Sequence, residues 1–77
     1  MMNSGKAPRA KFNGARVAGD MAVRGWNQTD LARVAGVNPM TITRFLRGDV
    51  QSPRTAAKIA QALGYSVRRY FLGVQAA

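Results

Sequence analysis

The chain has no cysteine, no histidine and no glutamate, and its only acidic side chains are Asp20, Asp30 and Asp49. Without cysteine there is neither a disulfide framework nor a thiolate metal site. Without histidine the commonest general base and metal ligand is gone, and three scattered aspartates are left for acid–base work. An enzyme is therefore not expected, nor a metal, a cofactor or a small-molecule ligand. Long apolar runs are missing too: nothing approaches the roughly 20 residues that cross a bilayer. Met1 to Lys11 has cations but no apolar segment of a secretory leader. No membrane partner is expected, and the place expected for the chain is the cytoplasm, with the nucleoid. What remains is a binding module.

What the chain does have is positive charge. Twelve Lys and Arg against three Asp give +9 over 77 residues, and nine of the twelve are arginines. The planar guanidinium fork fits phosphate oxygens and guanine edges, which a coat of lysines kept for solubility would not do. A polyanion is the expected partner, nucleic acid ahead of anionic lipid.

Along the chain, Met1 to Lys11 offers little to bury and reads as a flexible basic arm. From about Asn13 to Arg24, Val17 and Met21 share a face beside Ala18 and Ala22, the period of a first helix. Gly14 and Gly19 weaken that helix by about 1 kcal/mol each relative to alanine. Gly25 ends it. Asn27 then reads as an N-cap with Asp30 three residues on, and Trp26 and Leu31 occupy the two staple positions. The second helix is expected over Gln28 to about Ala35, with Gly36 as the left-handed cap. The pattern repeats with Val37, Asn38 as cap, Pro39 at the first helical position and Ile42 as staple partner. A third helix over Pro39 to about Arg47 follows, closed by Gly48. Ser52-Pro53 opens a fourth through Leu63, burying Ala56, Ile59, Ala60 and Leu63. Ser66 is expected to open a short fifth helix with Val67, Tyr70, Phe71 and Leu72 as its apolar residues. No segment reads as a strong strand. The expected fold is all-α and compact: arm at residues 1–11, five-helix domain at 12–73, tail at 74–77.

Ala32 falls on the inner side of the second helix and Gly36 at its end, so the third helix can cross closely at a sharp angle. Leu31, Ala35, Val37, Ile42 and Phe45 fill the wedge. Such a corner is a helix-turn-helix, whose second helix is presented to a DNA major groove. Trp26 to Leu72 resembles the lambda-repressor-like family of regulators, the Cro, cI and XRE-type group. The resemblance rests on Gly25-Trp26-Asn27-Gln28, Leu31-Ala32, Gly36-Val37, Ile42, Gly48 and Lys58 to Val67 (KIAQALGYSV). Many members carry an arginine in the first helix paired with a glutamate at the end of the third. Here those positions are Met21 and Leu46, so an apolar contact is expected to stand in for the pair.

Position assigns the candidate contacts. Asn38, Pro39, Met40 and Thr41 form the first turn of the recognition helix, with Thr43 and Arg44 further along its outward face. All six are candidate base readers: Met40 and the Thr41 methyl toward thymine methyls, Arg44 bidentate to guanine O6 and N7. Backbone contacts are expected from Asn27, Gln28, Arg47, Ser52 and Arg54, most of them at amide-rich helix starts. The resemblance implies a phosphate contact for Gln28 and a minor-groove approach for Arg54. Lys6, Arg9 and Lys11 are candidates for an arm along the duplex. Arg16, Arg24, Arg33, Lys58, Arg68 and Arg69 read as solvated charges, and Trp26, Phe45, Tyr65 and Phe71 as core.

The expected function is a sequence-specific double-stranded DNA-binding regulator, a small repressor of phage or prophage type. One short helix reads few base pairs, so a homodimer is expected, its recognition helices about 34–36 Å apart on an operator. The expected dimer surface is Val67, Tyr70, Phe71, Leu72 and Val74. The alternatives are a DNA-binding antitoxin of a toxin–antitoxin pair and a non-specific nucleic-acid-binding protein. The second of these leaves the Ala32 and Gly36 corner without a purpose.

Overall fold

The computed structural model describes residues 9–75, so Lys6 and the rest of residues 1–8 lie outside the described residues. In order the elements are β1 (Arg9–Phe12), α1 (Gly14–Arg24), α2 (Gln28–Ala35), α3 (Pro39–Arg47), α4 (Pro53–Leu63), a 3₁₀ turn (Val67–Tyr70) and β2 (Phe71–Gln75). No helix among these residues is long and apolar enough to cross a membrane.

Each α-helix begins where a side-chain oxygen takes an orphan backbone N–H: Asn13 from Arg16, Asn27 from Asp30, Asn38 from Met40 and Ser52 from Thr55. Buried Val17, Met21, Leu31, Ile42, Phe45, Ile59 and Leu63 then meet in one core. Burying a side chain of this size contributes about 1.5–3 kcal/mol. Gly14, which costs helix propensity, has a packing reason. A Cβ there would stand 2.5 Å from the Leu46 carbonyl oxygen, so α1 can press on α3 only without one. Gly19 has open space around it, and nothing in the structure explains it.

The five-helix, all-α expectation fails at both ends. The segment from Ser66 makes a 3₁₀ turn and then extends as β2, which pairs antiparallel with β1: Arg9 opposite Gln75, Ala10 opposite Val74, Lys11 opposite Gly73, Phe12 opposite Phe71. Among the described residues the fold is four α-helices, a 3₁₀ turn and a two-stranded sheet. Arg9 to Lys11 therefore lie in a strand, where an arm was expected, and Val74 and Gln75 in its partner, where a tail was expected. The cause is tertiary. Phe12 is 6 % exposed, its ring 6.0 Å from that of Phe45 and 5.8 Å from that of Phe71. The Phe12 N–H donates to Gln51 Oε1 at 2.7 Å, and the Asn13 N–H to the Tyr70 carbonyl at 2.7 Å.

A second tie joins the end of the chain to α1. Asp20 is buried, and Arg69 grips it with both arms of its fork, Nε to Oδ2 at 2.7 Å and Nη2 to Oδ1 at 2.9 Å. The Tyr70 hydroxyl donates to Oδ2 at 2.6 Å. The Arg69 fork holds the Asp20 carboxyl down at about 2, against a burial effect that pushes the other way. Burial first, and then the carboxylate beside it, push the Tyr70 hydroxyl up.

Arg24 and Arg69, read as solvated charges, are thus structural. Arg24 donates to the carbonyls of Leu63 and Asp20 and lies 5.5 Å from the Tyr65 ring centre; the Arg69 guanidinium lies 4.1 Å from it. Tyr65 and Phe71, read as core, are exposed at their outer faces.

Candidate nucleic-acid interface

Leu31 and Ala32 are the buried residues of α2, Ile42 and Phe45 those of α3. Ala32 is 2 % exposed, and its carbonyl accepts the N–H groups of both Gly36 (2.8 Å) and Val37 (3.0 Å). That double acceptance needs Gly36 at φ 73°, a conformation that disfavours any side chain. The corner turns the remaining face of α3 outward. Asn38, Pro39, Met40, Arg44 and Arg47 are exposed on it, and Thr41 and Thr43 are half-buried at its margin.

Two of these side chains already have work inside the protein. Asn38 Oδ1 accepts from the Met40 N–H at 2.8 Å, which leaves the amide nitrogen with two donors for an outside acceptor. The Thr43 hydroxyl donates to Gln28 Oε1 at 2.5 Å, with the Pro39 carbonyl, 3.3 Å away, as its alternative acceptor. Gln28 and Thr43, expected in separate roles, are therefore one unit across the corner. The bond fixes the Gln28 amide so that its nitrogen is the free end, a donor suited to an anion.

At the start of α2, Asn27 and Asp30 exchange hydrogen bonds in a capping box, each at 2.9 Å. The Asn27 N–H and then Arg33 hold the Asp30 carboxyl below its ordinary value. Ser52 caps α4 by accepting from the Thr55 N–H, and Arg54 is exposed one residue past Pro53. Asp20 and Asp30 are each spoken for by an arginine. Among the described residues Arg44, Arg47 and Arg54 carry no ion pair, so this face keeps its positive charge.

Arg9 and Lys11, expected in an arm along the duplex, are placed in β1. Phe12 seats that strand at the C-terminal end of α3, next to the α3–α4 loop. Gln51 escaped the sequence reading: its Nε2 donates to the Gly48 carbonyl at 3.0 Å while its oxygen holds Phe12, so it couples the loop to the sheet. No local pattern around Gln51 signals this, because its partner lies 39 positions away. Met21 and Leu46, where an apolar contact was expected, line one open hollow with Ala18, Ala22 and Trp26 and the polar Asn27, Gln28 and Thr29.

A helix-turn-helix family model, HTH_3, matches residues 24–70, from the end of α1 to the 3₁₀ turn. Five chains among solved structures match. One, from a complex of SinR protein and SinI protein, is 24 % identical with a TM-score of 0.65, over 73 % of this chain and 56 % of that one. This chain thus spans little more than half the length of that neighbour, and the likeness is one of fold. No curated protein matches in sequence.

Proposed function

We infer that the chain, which belongs to the HTH_3 helix-turn-helix family, is a DNA-binding transcriptional regulator that reads one double-stranded operator through α3. In this reading it acts as a homodimer, a small repressor of phage or prophage type. The observation that carries the inference is the outward face of α3: arginines without acidic partners, presented by a helix whose inner face is locked by Ile42 and Phe45.

On this reading Arg44 is the principal base contact, its fork on guanine O6 and N7. The free Asn38 donors and the side chains of Met40 and Thr41 read neighbouring pairs, with Pro39 setting the first turn. Thr43 acts mainly through Gln28, whose nitrogen meets a phosphate together with the helix-start amides beside Asn27. Arg47, Ser52 and Arg54 hold the next stretch of backbone. Phosphate contacts position the domain; the α3 side chains specify the site.

Selection from a random duplex pool at roughly 150 mM salt tests this, because purely ionic binding is weakened there. A short enriched motif, repeated as a palindrome at one-turn spacing, is expected. Tight binding with no enrichment and a steep salt dependence would sink it, leaving a general polyanion grip. On the selected duplex, Arg44→Ala is expected to lose about 1–3 kcal/mol and to relax preference at one base pair. Arg47→Ala should weaken all sequences alike and lower the salt slope by about one.

A further inference from the structure

We propose that Gln51 is a positioning residue for DNA binding: its amide straps β1 to the α3–α4 loop and so sets where Ser52 and Arg54 meet the phosphate backbone, without touching the duplex itself. The proposal rests on the DNA reading above and gives β1 a part in it. The loop runs from Gly48 to Ser52, and its first half is tied to α3. The Arg44 carbonyl accepts the N–H groups of Asp49 at 2.9 Å and Val50 at 3.4 Å. The second half has no such tie: among the described residues neither Gln51 nor Ser52 donates a backbone hydrogen bond. Helices α3 and α4 each pack on α2 far more than on each other, so their mutual placement passes through this loop.

The Gln51 side chain supplies what the loop backbone lacks. Its Oε1 accepts the Phe12 N–H at 2.7 Å, and its Nε2 donates to the Gly48 carbonyl at 3.0 Å. One partner is a donor and the other an acceptor, so both ends of the amide are assigned. Asparagine is a methylene short of that span, glutamate cannot donate at neutral pH, and methionine answers neither partner. The anchor is firm, because Phe12 is buried against the rings of Phe45 and Phe71. Ser52 follows Gln51 directly and caps α4 through the Thr55 N–H. With α3 in the groove, Ser52 and Arg54 reach the backbone together only if the start of α4 stands at a set distance and angle from α3. A strap from a fixed strand removes freedom that the loop would otherwise lose on binding.

The strap lies within one copy of the chain, so it does not depend on how two copies pair. Of the surface expected for pairing, Tyr70 is 0 % exposed and spent on Asp20, and Val67 is half-buried against the core, so neither is available.

The test compares the full-length parent chain with Gln51→Met and Gln51→Asn, by amide hydrogen exchange without DNA and by duplex titration at several salt concentrations. The duplexes are the one selected with the parent chain and its single-base variants. Both variants should fold, because Gln51 is half-buried and outside the core. In both, exchange at the Asp49, Val50 and Thr55 amides is expected to quicken about tenfold, with the Ile59 amide unchanged. Binding is expected to weaken about tenfold on every duplex alike and the salt slope to fall by about one, with the order of base preference kept. Quicker exchange with parental affinity and slope would leave Gln51 a merely structural tie and overturn the proposal. Weaker binding with parental exchange, or parental binding by Gln51→Asn alone, would mean that the amide touches the duplex itself and would also overturn it. A parent chain that binds no duplex sinks the DNA reading and this role together, whereas a parent that binds beside unaffected variants sinks the strap alone.

Discussion

Phe45→Ala is expected to cost about 3–5 kcal/mol of folding stability, the range for truncating a buried aromatic side chain. Phe45 is 1 % exposed and stands where three parts of the fold meet. It is the inner anchor of α3, the platform for the Phe12 ring, and through Phe12 the seat of the sheet. Nothing flexible stands ready to refill that space, because Val17, Ile42, Ile59 and Tyr70 are themselves 0 % exposed and confined. A domain of this size has a total stability of about 3–7 kcal/mol, so the variant should be substantially unfolded at physiological temperature. Urea titration measures the loss directly. A loss of about 1 kcal/mol or less would mean that α3 is held by something other than this ring. On the proposed reading, affinity for a selected duplex should fall only as the folded fraction falls, because Phe45 is 1 % exposed and offers no atom to a ligand.

The second large effect belongs to Asp20→Asn. The amide keeps the shape but has one acceptor oxygen where the carboxylate had two, and its nitrogen faces donors from Arg69 and Tyr70. Charge-assisted bonds of this kind are worth about 1.5–3 kcal/mol each, and a loss of about 2–3 kcal/mol overall is expected. The parent chain should show the same interaction in its acid unfolding. The folded-state value of Asp20, about 2, lies below its ordinary 3.8, so the unfolded chain binds the proton more readily. The stabilisation is therefore complete above roughly pH 5 and is lost as pH falls toward about 2. Asp30, also lowered, acts in the same direction. Denaturant titrations from pH 7 to pH 2 should give a steep acid slope for the parent and a much shallower one for Asp20→Asn, Asp30 supplying the remainder. Parallel slopes would show that the Asp20 cluster does not govern acid stability.

The helices were legible because their signals are local. Asn27, Asn38 and Ser52 each precede an apolar repeat, a glycine closes each helix, and the observed α2, α3 and α4 follow those marks. The outward placement of Arg44 and Arg47 followed from the burial of Ile42 and Phe45. The sheet was not legible. RAKF and FLGVQ are too short and too mixed to announce strands, and each becomes one only because the other lies beside it. Asp20 was half legible: it sits three residues after Val17, on the inner face of α1, and a buried acid demands a partner. Sequence spacing gave no means of choosing Arg69 over the chain's other arginines. The Gln28 to Thr43 bond was hidden for a similar reason, since each residue had a sufficient role alone.

The pairing of β1 with β2 also sets an order of events during synthesis. Phe12 leaves the ribosome before α1 to α4 have been made, whereas Phe71 and Arg69 emerge only after them. The corner between α2 and α3 uses neighbouring segments and can close while translation continues. Until the 3₁₀ turn and β2 arrive, Phe12 lacks one of its two ring neighbours and Asp20 has neither its guanidinium nor its hydroxyl. A chain cut short before the 3₁₀ turn and β2 therefore leaves one side of the Phe12 ring uncovered and the Asp20 carboxylate without its partners, and is expected to spend more time unfolded.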